Sequence, residues 1–145
     1  MAIGTLYVVQ SKTESLFQEA KSKSDWYQAM QDAGVSEARS LDAQDSLPAW
    51  EYSIGEAKPQ GQLGRLFVGD LRSEEDLTGD PMVAFHGVAA VEAMAADLAS
   101  MGELGLHTVL SASGHGADTW LYQPLLQFLA QASARHEAVV VLSGN

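Results

Sequence analysis

The chain has 145 residues, 46% of them hydrophobic, and its 19 acidic residues outnumber its 8 basic ones to give a formal net charge of −11. A chain of this length buries roughly two-thirds of the surface that it exposes when unfolded, so we expect one domain spanning residues 1–145. DNA and anionic membranes repel so acidic a protein, which excludes both as expected partners. The absence of cysteine excludes disulfides, thiol nucleophiles and cysteine-ligated metals.

The first predicted elements are a strand and two helices. The β-rich run IGTLYVV predicts a strand over residues 3–9. Ser11 and Glu14 have the spacing of a capping box, which predicts that a helix begins there. A second helix is expected to begin at Ser24 and to end at Gly34. The opening sequence lacks the basic region and long apolar stretch of a secretory signal, so we expect a cytoplasmic protein.

The middle of the chain is less regular. The segment LDAQDSLPAWEYSIGEA is compatible with a helix or with an extended chain. We favour the helix, because Pro48 is tolerated in a first turn and Gly55 lies where the helix would end. Residues 56–64 have the composition of a loop, and residues 65–68 are predicted to form a strand.

The second half contains the clearest periodicity. Residues 82–85 predict a short strand, and residues 88–101 predict an amphipathic helix that ends at Gly102. A further helix is expected over residues 122–134, followed by a buried strand over residues 139–142. Short strands mixed irregularly with helices predict an α+β fold, with a mixed sheet packed against several helices.

The segment LHTVLSASGHGADTW is the best place to look for catalysis. His115 could act as a base for Ser113, oriented by Asp118, or His107, His115 and Asp118 could bind a metal. However, the GxSxG motif of hydrolases and the HExxH motif of zinc proteases are both missing. Glycines around His115 favour a tight loop. We therefore expect no enzyme activity, no cofactor and no metal, and keep a small metal-dependent or Ser/His hydrolase as an alternative.

An acidic segment, SEEDLTGDP, occupies residues 73–81. It opens a stretch of 62 residues, 73 to 134, that contains eight acids and no Lys or Arg. Such uncompensated charge accelerates encounter with a basic protein, and aromatic side chains commonly supply the affinity of an interface. The predicted partner-binding residues are Asp70, Glu74, Glu75, Asp76, Asp80, Trp50 and Tyr52.

Four stretches of the chain resemble the YfbM-like family of small bacterial proteins. They are MAIGTLYVV with the short helix after it, LDAQDSLPAWEYSI, FHGVAAVEAMAADLASM and LLQFLAQASARHEAVVVLS, and together they cover about half of the sequence. The resemblance implies a compact cytoplasmic α+β domain without a catalytic signature. It also implies a place beside secreted bacterial toxins, such as type VI secretion effectors, as an immunity protein. Residues 56–81 depart from the family pattern, and the acidic segment lies within them.

These observations predict an immunity protein that neutralises a toxin acting in the cytoplasm by covering its active site. The expected partner is a basic protein toxin that uses nucleotides or nucleic acid, because its substrate cleft would be positive. A small-molecule-binding or regulatory domain remains a second alternative beside the hydrolase.

Overall fold

A computed structural model describes residues 3–58, 61–73 and 82–144. Within these residues, five strands form one sheet in the order β2-β1-β5-β4-β3, and five α-helices cover its two faces. The strands are β1 (Ile3–Gln10), β2 (Ser40–Gln44), β3 (Leu71–Arg72), β4 (Met82–His86) and β5 (Glu137–Gly144). The helices are α1 (Glu14–Glu19), α2 (Lys23–Asp32), α3 (Ser46–Ala57), α4 (Val88–Ala112) and α5 (Tyr122–Ala134).

The sheet is built around β5, the apolar C-terminal strand. β5 pairs with β1 from Ile3↔Gly144 to Gln10↔Glu137 and with β4 from Met82↔Ser143 to His86↔Val139. Each described strand pair is antiparallel, so the α+β class is confirmed, with an antiparallel sheet in place of the mixed sheet that we expected. The alternation of side chains along each strand places successive residues on opposite faces, and both faces carry a core.

The larger core lies between the sheet and helices α3, α4 and α5. Leu6 and Val141 from the strands meet Trp50, Leu98 and Leu125 from the three helices, and all five are buried. Burial of one large apolar side chain contributes about 1.5–3 kcal/mol to the free energy of folding. This layer therefore fixes the position of α3 and of the loop between α4 and α5.

The smaller core lies on the opposite face, beneath α1 and α2. Phe17 stacks on Phe85 with ring centroids 5.0 Å apart and contacts Trp26 at 5.5 Å. Ser22 and Asp25 form a reciprocal capping box at the start of α2. The expected box at Ser11 is absent, since residues 11–13 form a 3-10 turn and α1 begins at Glu14 without a side-chain cap.

Three further boundaries differ from the sequence prediction. Gly55 lies inside α3 instead of ending it. Gly102 adopts φ 74° and interrupts α4, but a second helical segment continues to Ala112. Residues 65–68 are not a strand: a 3-10 helix over Gln62–Arg65 leads into a turn, because Leu63 and Leu66, three positions apart, are both buried. Across the described residues, no helix is both long and apolar enough to span a membrane.

Candidate functional site

The outer face of α3 presents the aromatic side chain Tyr52 to solvent. Leu47, Trp50 and Ile54 form the buried face of this helix, and the spacing leaves Tyr52 and Glu56 on the outside. Tyr52 is 60% exposed. An aromatic residue this exposed is available to a partner, since burying its ring would gain both apolar area and a hydrogen-bonding hydroxyl.

A hydrogen-bonded network behind α3 ties it to the loop before α5. The indole N–H of Trp50 donates to the Asp118 carbonyl at 2.8 Å, and the indole of Trp120 donates to Ser46 Oγ at 2.9 Å. Ser46 in turn donates to Asp118 Oδ1 at 2.7 Å. These bonds use the two indole N–H groups, the buried Ser46 hydroxyl and one carboxylate oxygen of Asp118, so the loop and the start of α3 are held together as one surface.

Two open grooves meet at Tyr52. The first, about 390 Å³ in volume, is lined by Asp45, Pro48, Ala49, Tyr52, His115 and Asp118. The second, about 490 Å³, is lined by Tyr52, Ser53, Glu56, Ala57, Thr108, Val109, Ala112 and Ser113. These described lining residues include three carboxylates and no Lys or Arg. We call the two grooves together with their shared Tyr52 the α3 surface.

Glu51 secures the same helix on another side. Its Oε2 accepts a hydrogen bond from the backbone N–H of Phe67, in the turn that follows the 3-10 helix. Burial raises the pKa of this carboxyl, although the Phe67 N–H and the charge of Arg72 oppose the rise. Glu51 thus connects α3 to residues 61–73 and does not line either groove.

The Ser–His–Asp arrangement that the hydrolase alternative requires is not formed. Ser113 Oγ bonds to Ser53 Oγ and to the carbonyl of Leu110, so it is not paired with His115. His115 Nδ1 lies 3.8 Å from Asp118 Oδ2, which is beyond hydrogen-bond distance. No group of three or more His, Cys, Asp or Glu residues that could hold a metal occurs within the described ranges.

His107 takes part in a different contact. Its Nδ1 lies 3.0 Å from Thr119 Oγ1, and Ser111 Oγ lies 3.3 Å from its Nε2. Thr119 donates its own proton to the Gly116 carbonyl, so His107 Nδ1 is the donor to Thr119 and Nε2 is left to accept from Ser111. Neither His107 nor Ser111 lines the α3 surface. The contact holds the end of α4 to the following loop.

The residues predicted to bind a partner are placed as follows. Tyr52 is exposed, whereas Trp50, which we predicted to contact the partner, is fully buried and is a core residue that supports α3. Asp70 is exposed and accepts a hydrogen bond from the Gly87 N–H at 2.8 Å, at the start of α4. The other four acids, Glu74, Glu75, Asp76 and Asp80, lie outside the described residues.

Sequence reasoning missed the carboxylates of the α3 surface as a group. Glu56 follows Tyr52 by four positions, so their common helix face was detectable from the sequence. Asp45 and Asp118 are 73 positions apart and meet in one groove only because the loop packs against α3. No local signal could have paired them.

The fold and this surface define an α+β protein with an antiparallel sheet between two helical layers and an acidic surface around an exposed tyrosine. The solved structure of YfbM from Escherichia coli, a protein of unknown function, has this fold, with a TM-score of 0.68. The alignment covers 97% of this chain and 99% of that one at 12% sequence identity. The resemblance noted in the sequence is thus confirmed as a YfbM-like fold. No family model matches the chain, and a search of curated proteins gives no match.

Proposed function

We propose that this chain is a binding protein of the immunity type, which inhibits a basic protein toxin by docking on it through the α3 surface. The observation that supports this proposal is Tyr52, which is 60% exposed and shared by two grooves that carry Asp45, Glu56 and Asp118. An exposed aromatic ring is typical of the centre of a protein–protein interface. Charges of one sign around it are typical of the interface edge, where they accelerate association with a partner of opposite charge.

The charge of the whole chain argues for the class of partner. A net charge of −11 attracts a positive surface and repels nucleic acid. Enzymes that act on nucleotides or nucleic acid have positive substrate clefts, and an acidic protein that fills such a cleft excludes the substrate. Inhibition by coverage needs no catalytic group on the inhibitor.

Capture with matched baits tests the proposal. Wild-type protein, Tyr52→Ala and Glu19→Gln are each immobilised and exposed to lysate of the cell from which the sequence comes. Glu19 is exposed on α1, across the sheet from α3, so its variant controls for loss of one charge. We expect a basic protein that is retained by wild type and Glu19→Gln and is lost with Tyr52→Ala.

The captured protein must then behave as a toxin. Its expression alone should stop growth, and coexpression of the wild-type chain should restore growth while Tyr52→Ala should not. A captured protein that is harmless on its own, or that binds Tyr52→Ala as tightly as wild type, would overturn the proposal.

A further inference from the structure

The first groove of the α3 surface combines two carboxylates with an apolar lining. Asp45 and Asp118 contribute the carboxylates, and Pro48, Ala49 and Tyr52 contribute apolar atoms. His115 is the one other residue among its described lining. A site of this composition favours a ligand that has both a positive charge and a flat apolar face.

Neither carboxylate is fully used by the fold. Asp45 directly precedes α3, yet its side chain makes no capping hydrogen bond. Asp118 Oδ1 accepts a hydrogen bond from Ser46, whereas Oδ2 lies 3.8 Å from His115 Nδ1, which is beyond hydrogen-bond distance. A carboxylate oxygen has two acceptor sites, so both groups retain capacity for a donor brought by a ligand.

We infer that this groove receives an arginine side chain of the partner, an inference that rests on the proposed function. A guanidinium is planar, carries five N–H donors and is only weakly hydrated, so it stacks on an aromatic ring while it donates to carboxylates. Tyr52 supplies the ring, and Asp45 and Asp118 supply the acceptors. A lysine ammonium is a strongly hydrated point charge and fits this combination less well.

A small probe tests the groove without the partner. The full-length chain, labelled with ¹⁵N, is titrated with the capped tripeptide acetyl-Gly-Arg-Gly-amide and followed by NMR. We expect saturable shifts at the backbone amides of Tyr52, His115 and Asp118. The same tripeptide with lysine should bind severalfold more weakly, and the uncharged citrulline tripeptide should give no saturable shift.

Conservative variants localise the effect. Tyr52→Leu removes the aromatic ring from an exposed position, and the double variant Asp45→Asn/Asp118→Asn removes two charges while keeping an oxygen to accept from Ser46. Each should weaken arginine binding on the order of tenfold. Glu19→Gln, on the other side of the sheet, should bind as wild type does.

Equal binding of the arginine and lysine peptides, shifts that do not saturate, or variants that bind as wild type does would each overturn the arginine site. These outcomes are separable from the test of the proposed function. If the chain binds the arginine tripeptide but does not restore growth to a cell that expresses the captured protein, the arginine site is supported and the proposed function is rejected. If restored growth depends on Tyr52 but the chain binds the arginine and lysine tripeptides equally, the proposed function is supported and the arginine site is rejected.

Discussion

His86 closes β4 with its imidazole fully buried. Nε2 lies 2.8 Å from the Leu66 carbonyl, so this nitrogen carries the proton and donates it. Nδ1 is then an acceptor, and it is the one buried side-chain polar atom without a hydrogen-bond partner among the residues described. Burial lowers the pKa of His86, the Leu66 carbonyl and the charge of Asp70 oppose that change, and Arg65 adds to it. The neutral imidazole is therefore part of the folded state.

We predict that His86 makes the fold sensitive to mild acid. In the unfolded chain His86 titrates near its ordinary pKa of 6.5, while in the folded chain that pKa is lower. As the pH falls below 6.5, the unfolded state therefore takes up a proton at His86 that the folded state does not take up. The free energy of unfolding then decreases as the pH decreases toward 5. Chemical denaturation between pH 8 and pH 5 measures this slope. His86→Gln should flatten it.

The exposed His136 provides the control for that measurement. Its φ of 53° lies in the left-handed region, which asparagine also tolerates, so His136→Asn changes a histidine without adding backbone strain. His136 Nδ1 lies 3.7 Å from Glu92 Oε1 with both side chains exposed to solvent, so this variant should change the slope less than His86→Gln does. A slope that His86→Gln leaves intact would show that another group controls acid sensitivity.

Glu137 supplies a second acid-dependent contribution at lower pH. Its two carboxylate oxygens accept hydrogen bonds from the Arg39 guanidinium at 2.6 and 2.7 Å. This ion pair connects the 3-10 turn before β2 to the start of β5. This contact lowers the pKa of Glu137 from its ordinary value of 4.5. The stabilisation is present above pH 4.5 and is lost as the pH falls through the lowered folded-state pKa.

We predict that Glu137→Gln lowers the free energy of unfolding by about 1 kcal/mol at pH 7, since Arg39 is partly exposed and solvent screens the pair. The difference from wild type should shrink as the pH falls below 4.5. Denaturation curves at pH 7 and pH 3 measure it, with Glu19→Gln, at an exposed position of α1, as the control for loss of one carboxylate. A difference that is constant with pH would contradict the ionic origin.

At the scale of elements, α3 touches the 3-10 helix over Gln62–Arg65 through two glycines. A Cβ at Gly64 would lie 2.7 Å from the Cα of Gly55, a distance that backbone atoms cannot relieve without moving. A Cβ at Gly55 would lie 3.6 Å from the Gly64 carbonyl, an ordinary contact. The two positions therefore face each other with unequal space.

Alanine at these two glycines should have opposite effects. Gly64→Ala forces the 3-10 helix away from α3 and should cost about 1–3 kcal/mol of unfolding free energy. Gly55→Ala lies inside a helix and should stabilise by about 0.5–1 kcal/mol. Thermal unfolding of the two variants provides the comparison, each serving as the control for the other. Equal destabilisation by both would contradict the close approach at Gly64.

The elements that were predictable from sequence are those whose apolar periodicity is local. The stripes of α4 and α5 and the apolar run of β5 were found, because burial at those positions follows from the chain itself. β2, at the edge of the sheet, reads SLDAQ and was missed, because it becomes a strand only by pairing with β1. The strand predicted at residues 65–68 was wrong, because the buried Leu63 and Leu66 have the three-residue spacing of a 3-10 helix.

The candidate site was less predictable than the fold. Tyr52 was identified as a contact candidate for its residue type alone, and its exposure became known from the helix that carries it. Trp50, identified on the same grounds, is in the core, where its N–H pairs with the Asp118 carbonyl. Distant parts of the chain create the first groove by packing, which a sequence pattern does not record.

Across the molecule, the charges and the Tyr52 ring are expected to affect different rate constants of the proposed complex. Charges spread along the chain act over a Debye length and thus set how fast the partner arrives. The ring of Tyr52 acts only in contact and thus sets how long the partner stays. These two effects can be measured independently once the captured partner is available.

We predict that neutralising the five predicted acids slows association, while Tyr52→Ala speeds dissociation. The first variant combines Asp70→Asn, Glu74→Gln, Glu75→Gln, Asp76→Asn and Asp80→Asn. Between ionic strengths of about 0.01 and about 0.15 M the Debye length falls from about 30 to about 8 Å, so the wild-type association rate should fall steeply over this range. The five-acid variant should show a shallower dependence, and Tyr52→Ala should keep the wild-type dependence.

Surface plasmon resonance at several salt concentrations gives both rate constants for each variant. Asparagine at position 70 still accepts from the Gly87 N–H, so the start of α4 is preserved and the change is electrostatic. If the five-acid variant associates as fast as wild type at low salt, these acids do not steer the partner, and the carboxylates of the α3 surface must account for any salt dependence. Salt dependence that disappears in Asp45→Asn/Asp118→Asn would then assign the steering to the first groove.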